Sequence, residues 1–254
     1  MKNGECRIKN GELKMGLVYL SKNKVLGCFF SALIADNLIN KSDYLLEQLP
    51  IFLNNINKFN NLTNFEENIS FISLFPLIVY SYQNAETKEI IEQWQNQQPT
   101  LEILVIIVNL ILSKKLNLNE PIKQIINHLN TQDSSLINSL DRLDRTLSNK
   151  ETLTVIETIF KDNFALESVA IYQTLYLFFS NPYALENCLQ RSLYFSQKIQ
   201  ETTILTGYLL GLYHGYSNLS SEWLNTIKLN PKTKEIKTLT EKLVAKWQGK
   251  MDNK

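Results

Sequence analysis

Apolar residues recur along most of this chain at spacings of three and four positions, and they rarely alternate with polar ones. That period places side chains on one face of an α-helix, whereas a half-buried strand alternates at every second residue. Only 8 glycines and 6 prolines punctuate the 254 residues. The sequence therefore predicts an all-α protein.

The periodic segments also predict where the helices lie. Residues 153–179 describe two helices that turn at Asp162 and Asn163. Asn181–Pro182 and Asn230–Pro231 each predict a helix start, because asparagine caps free N–H groups and proline at the first helical position needs no donor. The remaining predicted helices cover residues 22–38, 42–56, 67–81, 86–94, 100–113, 121–129, 134–147, 200–216, 220–229 and 232–247.

No Pro/Gly/Ser-rich linker and no repeat of fixed period divides the chain, so we expect one compact domain. We place it at residues 22–228, with an amino-terminal extension at 1–21 and a polar helix and tail at 229–254. The longest apolar run, residues 101–112, is interrupted by Glu102 and Asn109. It is shorter than the ~20 residues that a membrane-spanning helix needs, so it predicts a buried core helix.

Charge and cysteine content exclude several classes of protein. Lys and Arg number 26 and Asp and Glu number 25, a net charge of +1, which gives no field that would attract nucleic acid or an anionic membrane. Cys6, Cys28 and Cys188 lie far apart without CxxC spacing, which argues against a disulfide framework or zinc site. No secretory signal is apparent, so we expect a cytoplasmic protein.

Two segments carry a resemblance to a known family. Residues 25–38, VLGCFFSALIADNL, are similar to a helix of pattern Gly-x-x-x-Gly-x-x-x-Gly-Asp-Ala-Leu, with Gly27, Asp36 and Leu38 in register. Residues 203–215, TILTGYLLGLYHG, are similar to a second glycine-rich helix. Both helices are typical of the ADP-ribosylglycohydrolase family, hydrolases that remove ADP-ribose from modified side chains. The resemblance implies a compact, single-domain bundle of orthogonally packed helices.

The glycines in these segments also have a physical meaning of their own. Gly207, Gly211 and Gly215 follow one another at four-residue intervals, and Gly27 and Ser31 begin a similar stripe. Each glycine inside a helix costs about 0.5–1 kcal/mol relative to alanine. Such stripes therefore indicate a place where two helix backbones approach closely.

The resemblance further implies two magnesium ions, held by a Thr-Asp-Asp triplet after the first helix and an Asp-x-Asp-Thr segment before the last glycine helix. In this chain Lys198 and Gln200 stand at the two later aspartate positions, and Glu201 stands at the threonine position. No Thr-Asp-Asp triplet follows the first helix. Because magnesium requires converging carboxylate oxygens, we expect no metal, no cofactor and no catalytic residue.

These observations lead to a hypothesis and two alternatives. The hypothesis is a non-catalytic family member that acts by protein binding, in regulation or assembly, with Asp36, Lys198, Glu201 and Thr202 as residues of a vestigial ligand-binding cleft. One alternative is a sensor that binds a nucleotide or another small anion through Lys198. The other is metal-independent hydrolysis with Asp36 and Glu201 as acid and base. The sequence does not identify the protein partner.

Overall fold

The computed structural model describes residues 10–40, 43–58, 70–82, 85–130, 133–149 and 151–247. These residues form thirteen α-helices and a short 3₁₀ helix at Tyr216–Asn218, and none of them lies in a strand. The all-α prediction is therefore confirmed. The helices are α1 Asn10–Asn40, α2 Tyr44–Lys58, α3 Phe71–Ser81, α4 Ala85–Gln97, α5 Thr100–Leu112, α6 Pro121–His128, α7 Ser134–Ser148, α8 Leu153–Asn163, α9 Val169–Ser180, α10 Leu185–Ser192, α11 Ile199–His214, α12 Ser221–Lys228 and α13 Pro231–Trp247.

Of the two predicted Asn-Pro helix starts, one is confirmed and the other is wrong. At α13, Asn230 Oδ1 accepts the N–H of Lys232 at 3.0 Å, as an N-cap should. By contrast, α10 begins only at Leu185, because the carbonyl of Asn181 accepts the N–H of Ala184 in a turn. The Asn-Pro pair supports a turn as well as a helix start, since proline at the second turn position fixes the same φ.

Helix α11 is the central element of the core. Residues 202–212 are all buried, and α1, α3, α5, α9 and α10 pack around them. The helix ends at His214 because Gly215 adopts a φ of +82°, a conformation that favours glycine. Helix α13 packs on α2 and α1, with Ile236 and Leu243 buried in the common core. The domain limits at residues 22 and 228 stay predictions.

Helices α1 and α11 meet at their glycines with almost no side chain between the backbones. A methyl group added to Gly207 would lie 2.7 Å from the carbonyl oxygen of Ser31, and one added to Gly211 would lie 2.6 Å from Ser31 Cβ. A methyl group on Gly27 would meet the carbonyl of Gly211. The predicted close approach is therefore present, and it requires glycine at these positions.

No helix in the described ranges combines the length and the apolar character that crossing a lipid bilayer demands. The apolar run at residues 101–112 instead forms most of α5, as predicted. Leu101, Ile103 and Leu104 on this helix are fully buried.

The glycine contact leads to a stability prediction. We expect Gly211→Ala to lower the free energy of unfolding by about 1–3 kcal/mol, because the new methyl overpacks the α1–α11 contact by more than alanine's helix propensity recovers. Urea denaturation measures this change. The control is Asn138→Ala at an exposed position of α7, where we expect a change within about 0.5 kcal/mol. A Gly211→Ala protein as stable as the wild type would contradict the prediction.

Candidate functional site

A cleft of about 960 Å³ lies where the amino-terminal ends of four helices come together. Tyr44 begins α2, Ser70–Ile72 begin α3, residues 97–100 lead into α5, and residues 198–201 begin α11. The first N–H groups of a helix have no partner within it and carry partial positive charge. The lining residues are Tyr44, Ser70, Phe71, Ile72, Gln97, Gln98, Pro99, Thr100, Glu167, Ser196, Lys198, Ile199, Gln200 and Glu201.

Lys198 provides a positively charged side chain at this cleft. It is the N-cap residue of α11 and adopts left-handed backbone angles, with φ 51° and ψ 33°. That conformation costs about 1 kcal/mol or more for a residue other than glycine. Its carbonyl accepts the N–H of Thr202 at 2.8 Å. Its Nζ lies 3.8 Å from Glu201 Oε2, and its side chain is 41% exposed.

Glu201 is the carboxylate nearest to this ammonium, and its side chain is only 13% exposed. Burial raises the pKa of its carboxyl, while Lys198 and a hydrogen bond from the backbone N–H of Phe71 act in the opposite direction. Glu201 thus joins the first turn of α11 to the first turn of α3. Both interactions occupy oxygens that a metal ion would otherwise need.

Two other predicted site residues lie in the core beside the cleft. Asp36 is 1% exposed, and its Oδ2 accepts the N–H of Leu45 at 2.7 Å, which caps the first turn of α2. Thr202 is fully buried and donates from Oγ1 to Gln173 Oε1 at 2.7 Å. The structure therefore brings Lys198 and Glu201 to the cleft but does not place Asp36 or Thr202 on its surface. Their role in binding a ligand stays a prediction.

Much of the cleft comes from residues that the sequence analysis did not select. Tyr44, Gln98, Thr100 and Glu167 belong to segments that are far apart along the chain. None of them stands in a motif, so only the tertiary packing of α2, α5 and the loop before α9 brings them together. The one local signal is Ser70, which precedes the apolar α3 and caps it by accepting the N–H of Ser73.

The histidines and the described cysteines lie outside the cleft. His214 Nε2 lies 2.7 Å from the carbonyl oxygen of Pro182, and His128 Nδ1 lies 2.8 Å from that of Gln124. Cys28 and Cys188 are buried, and burial raises the pKa of the Cys188 thiol to about 11. These thiols are therefore protonated packing groups. Cys6 lies outside the described residues.

A family model for ADP-ribosylglycohydrolase matches residues 85–253 of this chain. The chain belongs to the ADP-ribosylglycohydrolase family. The match covers α4–α13 and includes the cleft residues at the start of α11, whereas the first glycine helix precedes it. The predicted family is thereby confirmed. No curated protein matches the chain.

The cleft's donor atoms decide whether it suits the two magnesium ions that the resemblance to the family implies. Among the described residues, its carboxylates are Glu167 and Glu201, and Glu201 already faces the Lys198 ammonium. Across the described ranges, no three or more His, Cys, Asp or Glu side chains are grouped so that they could hold a metal. Magnesium requires near-octahedral oxygen coordination at about 2.0–2.1 Å. The described residues of this cleft do not fit the metal pair.

Proposed function

We propose that this member of the ADP-ribosylglycohydrolase family is non-catalytic and acts by binding a protein, in regulation or assembly. The observation that supports the proposal is the composition of the cleft: among its described lining residues there are two carboxylates, and an ammonium pairs with one of them. In support, the fold keeps the family's helical scaffold, whereas the described lining offers few carboxylate oxygens for a metal ion.

Charge repulsion also disfavours a metal ion in the cleft, in addition to the shortage of ligands. A divalent ion bound by Glu201 would lie close to Lys198 Nζ, which is 3.8 Å from the carboxylate. At about 4 Å and an effective dielectric constant of about 20, the repulsion between an ammonium and a divalent cation is roughly 8 kcal/mol. To bind the metal, the Lys198 side chain would have to turn away from Glu201, and the site would need further oxygen ligands. The described cleft offers one more carboxylate, Glu167.

Exposed apolar side chains next to the cleft support the protein-binding part of the proposal. Leu166 precedes the cleft residue Glu167 and is 51% exposed, and Tyr194 lies two residues before the cleft residue Ser196 and is 67% exposed. Exposed aromatic and large apolar side chains are enriched at protein interfaces. We assign the loops that carry them, residues 164–168 and 193–198, to the binding surface.

The catalytic part of the proposal predicts no hydrolysis. We expect no release of ADP-ribose from an ADP-ribosylated protein with magnesium present, and no heat when magnesium chloride is titrated into the protein. The double variant Lys198→Asp/Gln200→Asp, which gains two carboxylates at the start of α11, is expected to bind magnesium more strongly than the wild type in the same titration. Magnesium-dependent release by the wild-type protein would refute the proposal.

The binding part predicts a partner that depends on these two loops. We expect affinity capture from the native host, followed by mass spectrometry, to recover a protein with the wild-type chain and to lose it with the double variant Leu166→Ser/Tyr194→Ser. The matched control is Leu229→Ser, which removes an exposed leucine from the end of α12. If both variants retain the same proteins as the wild type, the two loops are not the binding surface.

An anionic ligand is the second candidate function, and the positive groups around the cleft favour it. Lys198 and four helix amino-terminal ends border the same space, an arrangement that stabilises negative charge. A ligand at one hundred times its dissociation constant stabilises a protein by about 2.7 kcal/mol. Among ADP-ribose, ADP and inorganic phosphate, at least one should therefore raise the melting temperature of the wild type.

That increase should disappear in Lys198→Ala and persist in Lys234→Ala, which removes an exposed lysine from α13. An equal increase in both variants would show that the anion binds elsewhere.

Metal-independent hydrolysis would require Asp36 and Glu201 to face one substrate, and Asp36 does not line the cleft.

A further inference from the structure

An aromatic pocket lies at the carboxyl-terminal end of α11, whereas the cleft lies at the amino-terminal end of the same helix. The pocket has a volume of about 480 Å³, and it is bounded by the turn before α10, by α10, by the end of α11 and by the start of α12. Helix α11 has 16 residues and is therefore roughly 24 Å long. The aromatic pocket is thus a separate site from the cleft around Lys198.

Three aromatic side chains line this pocket, and polar contacts hold two of them in place. Tyr183 is 73% exposed, yet its hydroxyl is hydrogen-bonded to that of Tyr213, and the centroids of the two rings lie 6.4 Å apart. His214 Nε2 lies 2.7 Å from the carbonyl oxygen of Pro182. Trp223 is half-buried in the first turn of α12. Rings that are fixed before a ligand arrives lose little freedom when it binds.

The charge at the aromatic pocket is negative. Glu186, in the first turn of α10, lines it and forms no ion pair with the described residues. Neither lysine nor arginine occurs among the described lining residues. Because a carbonyl oxygen can only accept, His214 Nε2 carries a proton, and burial lowers the pKa of this imidazole more than the Pro182 carbonyl raises it. The ring is therefore neutral at pH 7 and does not offset the carboxylate.

The remaining lining combines buried apolar residues with exposed neutral amides. Ile34 and Leu219 are buried and give the pocket apolar surface. Asn187 and Gln190 are exposed on α10. Their amides can donate and accept hydrogen bonds without adding charge. The aromatic pocket therefore suits a cation that also carries a small polar group, such as a hydroxyl.

We propose that the aromatic pocket binds a trimethylammonium group, whose methyl groups contact the rings of Tyr183 and Trp223 and whose charge is balanced by Glu186. The electron-rich faces of tryptophan and tyrosine attract such cations, and aromatic sites of this kind recognise quaternary ammonium ligands. The group has no N–H to donate, so it needs no acceptor at its nitrogen. Within the described ranges, no three or more His, Cys, Asp or Glu side chains could hold a metal ion instead. The volume is within the range of small-molecule sites.

An NMR titration with choline chloride tests the proposal. The uncharged probe of the same shape is the choline analogue with a tert-butyl group in place of the trimethylammonium group. In the wild-type protein, choline should shift the indole N–H resonance of Trp223 and leave that of Trp94, on α4, unchanged. Tyr183→Leu and Glu186→Gln, both at exposed positions, should each weaken choline binding about threefold or more. The matched control is Glu235→Gln at an exposed position of α13, which should bind as the wild type does.

A second measurement distinguishes a free ligand from a lipid headgroup, since both can carry the trimethylammonium group. Co-sedimentation of the wild-type protein with phosphatidylcholine vesicles, lost in Glu186→Gln, would assign the group to a lipid. Choline binding without co-sedimentation would assign it to a free small molecule. Absence of a Trp223 shift with choline, equal binding of the uncharged analogue, or unchanged choline affinity in Tyr183→Leu or Glu186→Gln would each overturn the proposal.

Discussion

The contact between the backbones of α1 and α11 is the constraint on which the rest of the structure depends. Gly27, Gly207 and Gly211 let the two helices approach until an added methyl group would clash with backbone or Cβ atoms. Each interior glycine costs about 0.5–1 kcal/mol in helix propensity, and the packing must offset that cost. With α1 this close, α3, α5, α9 and α10 can enclose the remaining faces of α11. This packing fixes the position of the first turn of α11, which lies at the cleft.

The residues that hold α1 and α11 together are different from those that line the cleft. A change at Gly207 or Gly211 would force two backbones apart, because side-chain rearrangement alone cannot make room. Lys198 and Gln200, by contrast, lie at the cleft surface before or within the first turn of α11 and are not buried. Surface substitutions usually change stability by less than about 0.5 kcal/mol. A chain can therefore carry a lysine and a glutamine at positions where the resemblance to its family implies aspartates, and still keep the family's fold.

The helical periodicity and the glycine stripe were readable from the sequence because both arise from local spacing. The helix boundaries of α5 and α13 follow from this spacing, and so does a close backbone approach at the glycines, whereas only the structure shows that Gly27 meets Gly211. Asn181–Pro182 begins a turn and not the predicted helix, because a turn and a helix start use the same residue types. The lining of the cleft by Tyr44 and Glu167 could not be predicted, since it depends on how distant segments pack around α11.

Helix α5 borders the cleft and also a second cavity of about 460 Å³ between α4 and α5. Thr100 lines the cleft and Glu102, two residues later, lines the second cavity. Shared position alone does not couple two sites, because coupling needs an element with two arrangements that each ligand favours differently. Leu101, Ile103 and Leu104 are fully buried in the core, and a well-packed interior resists displacement. The packing of α5 therefore argues against coupling between the two cavities through this helix.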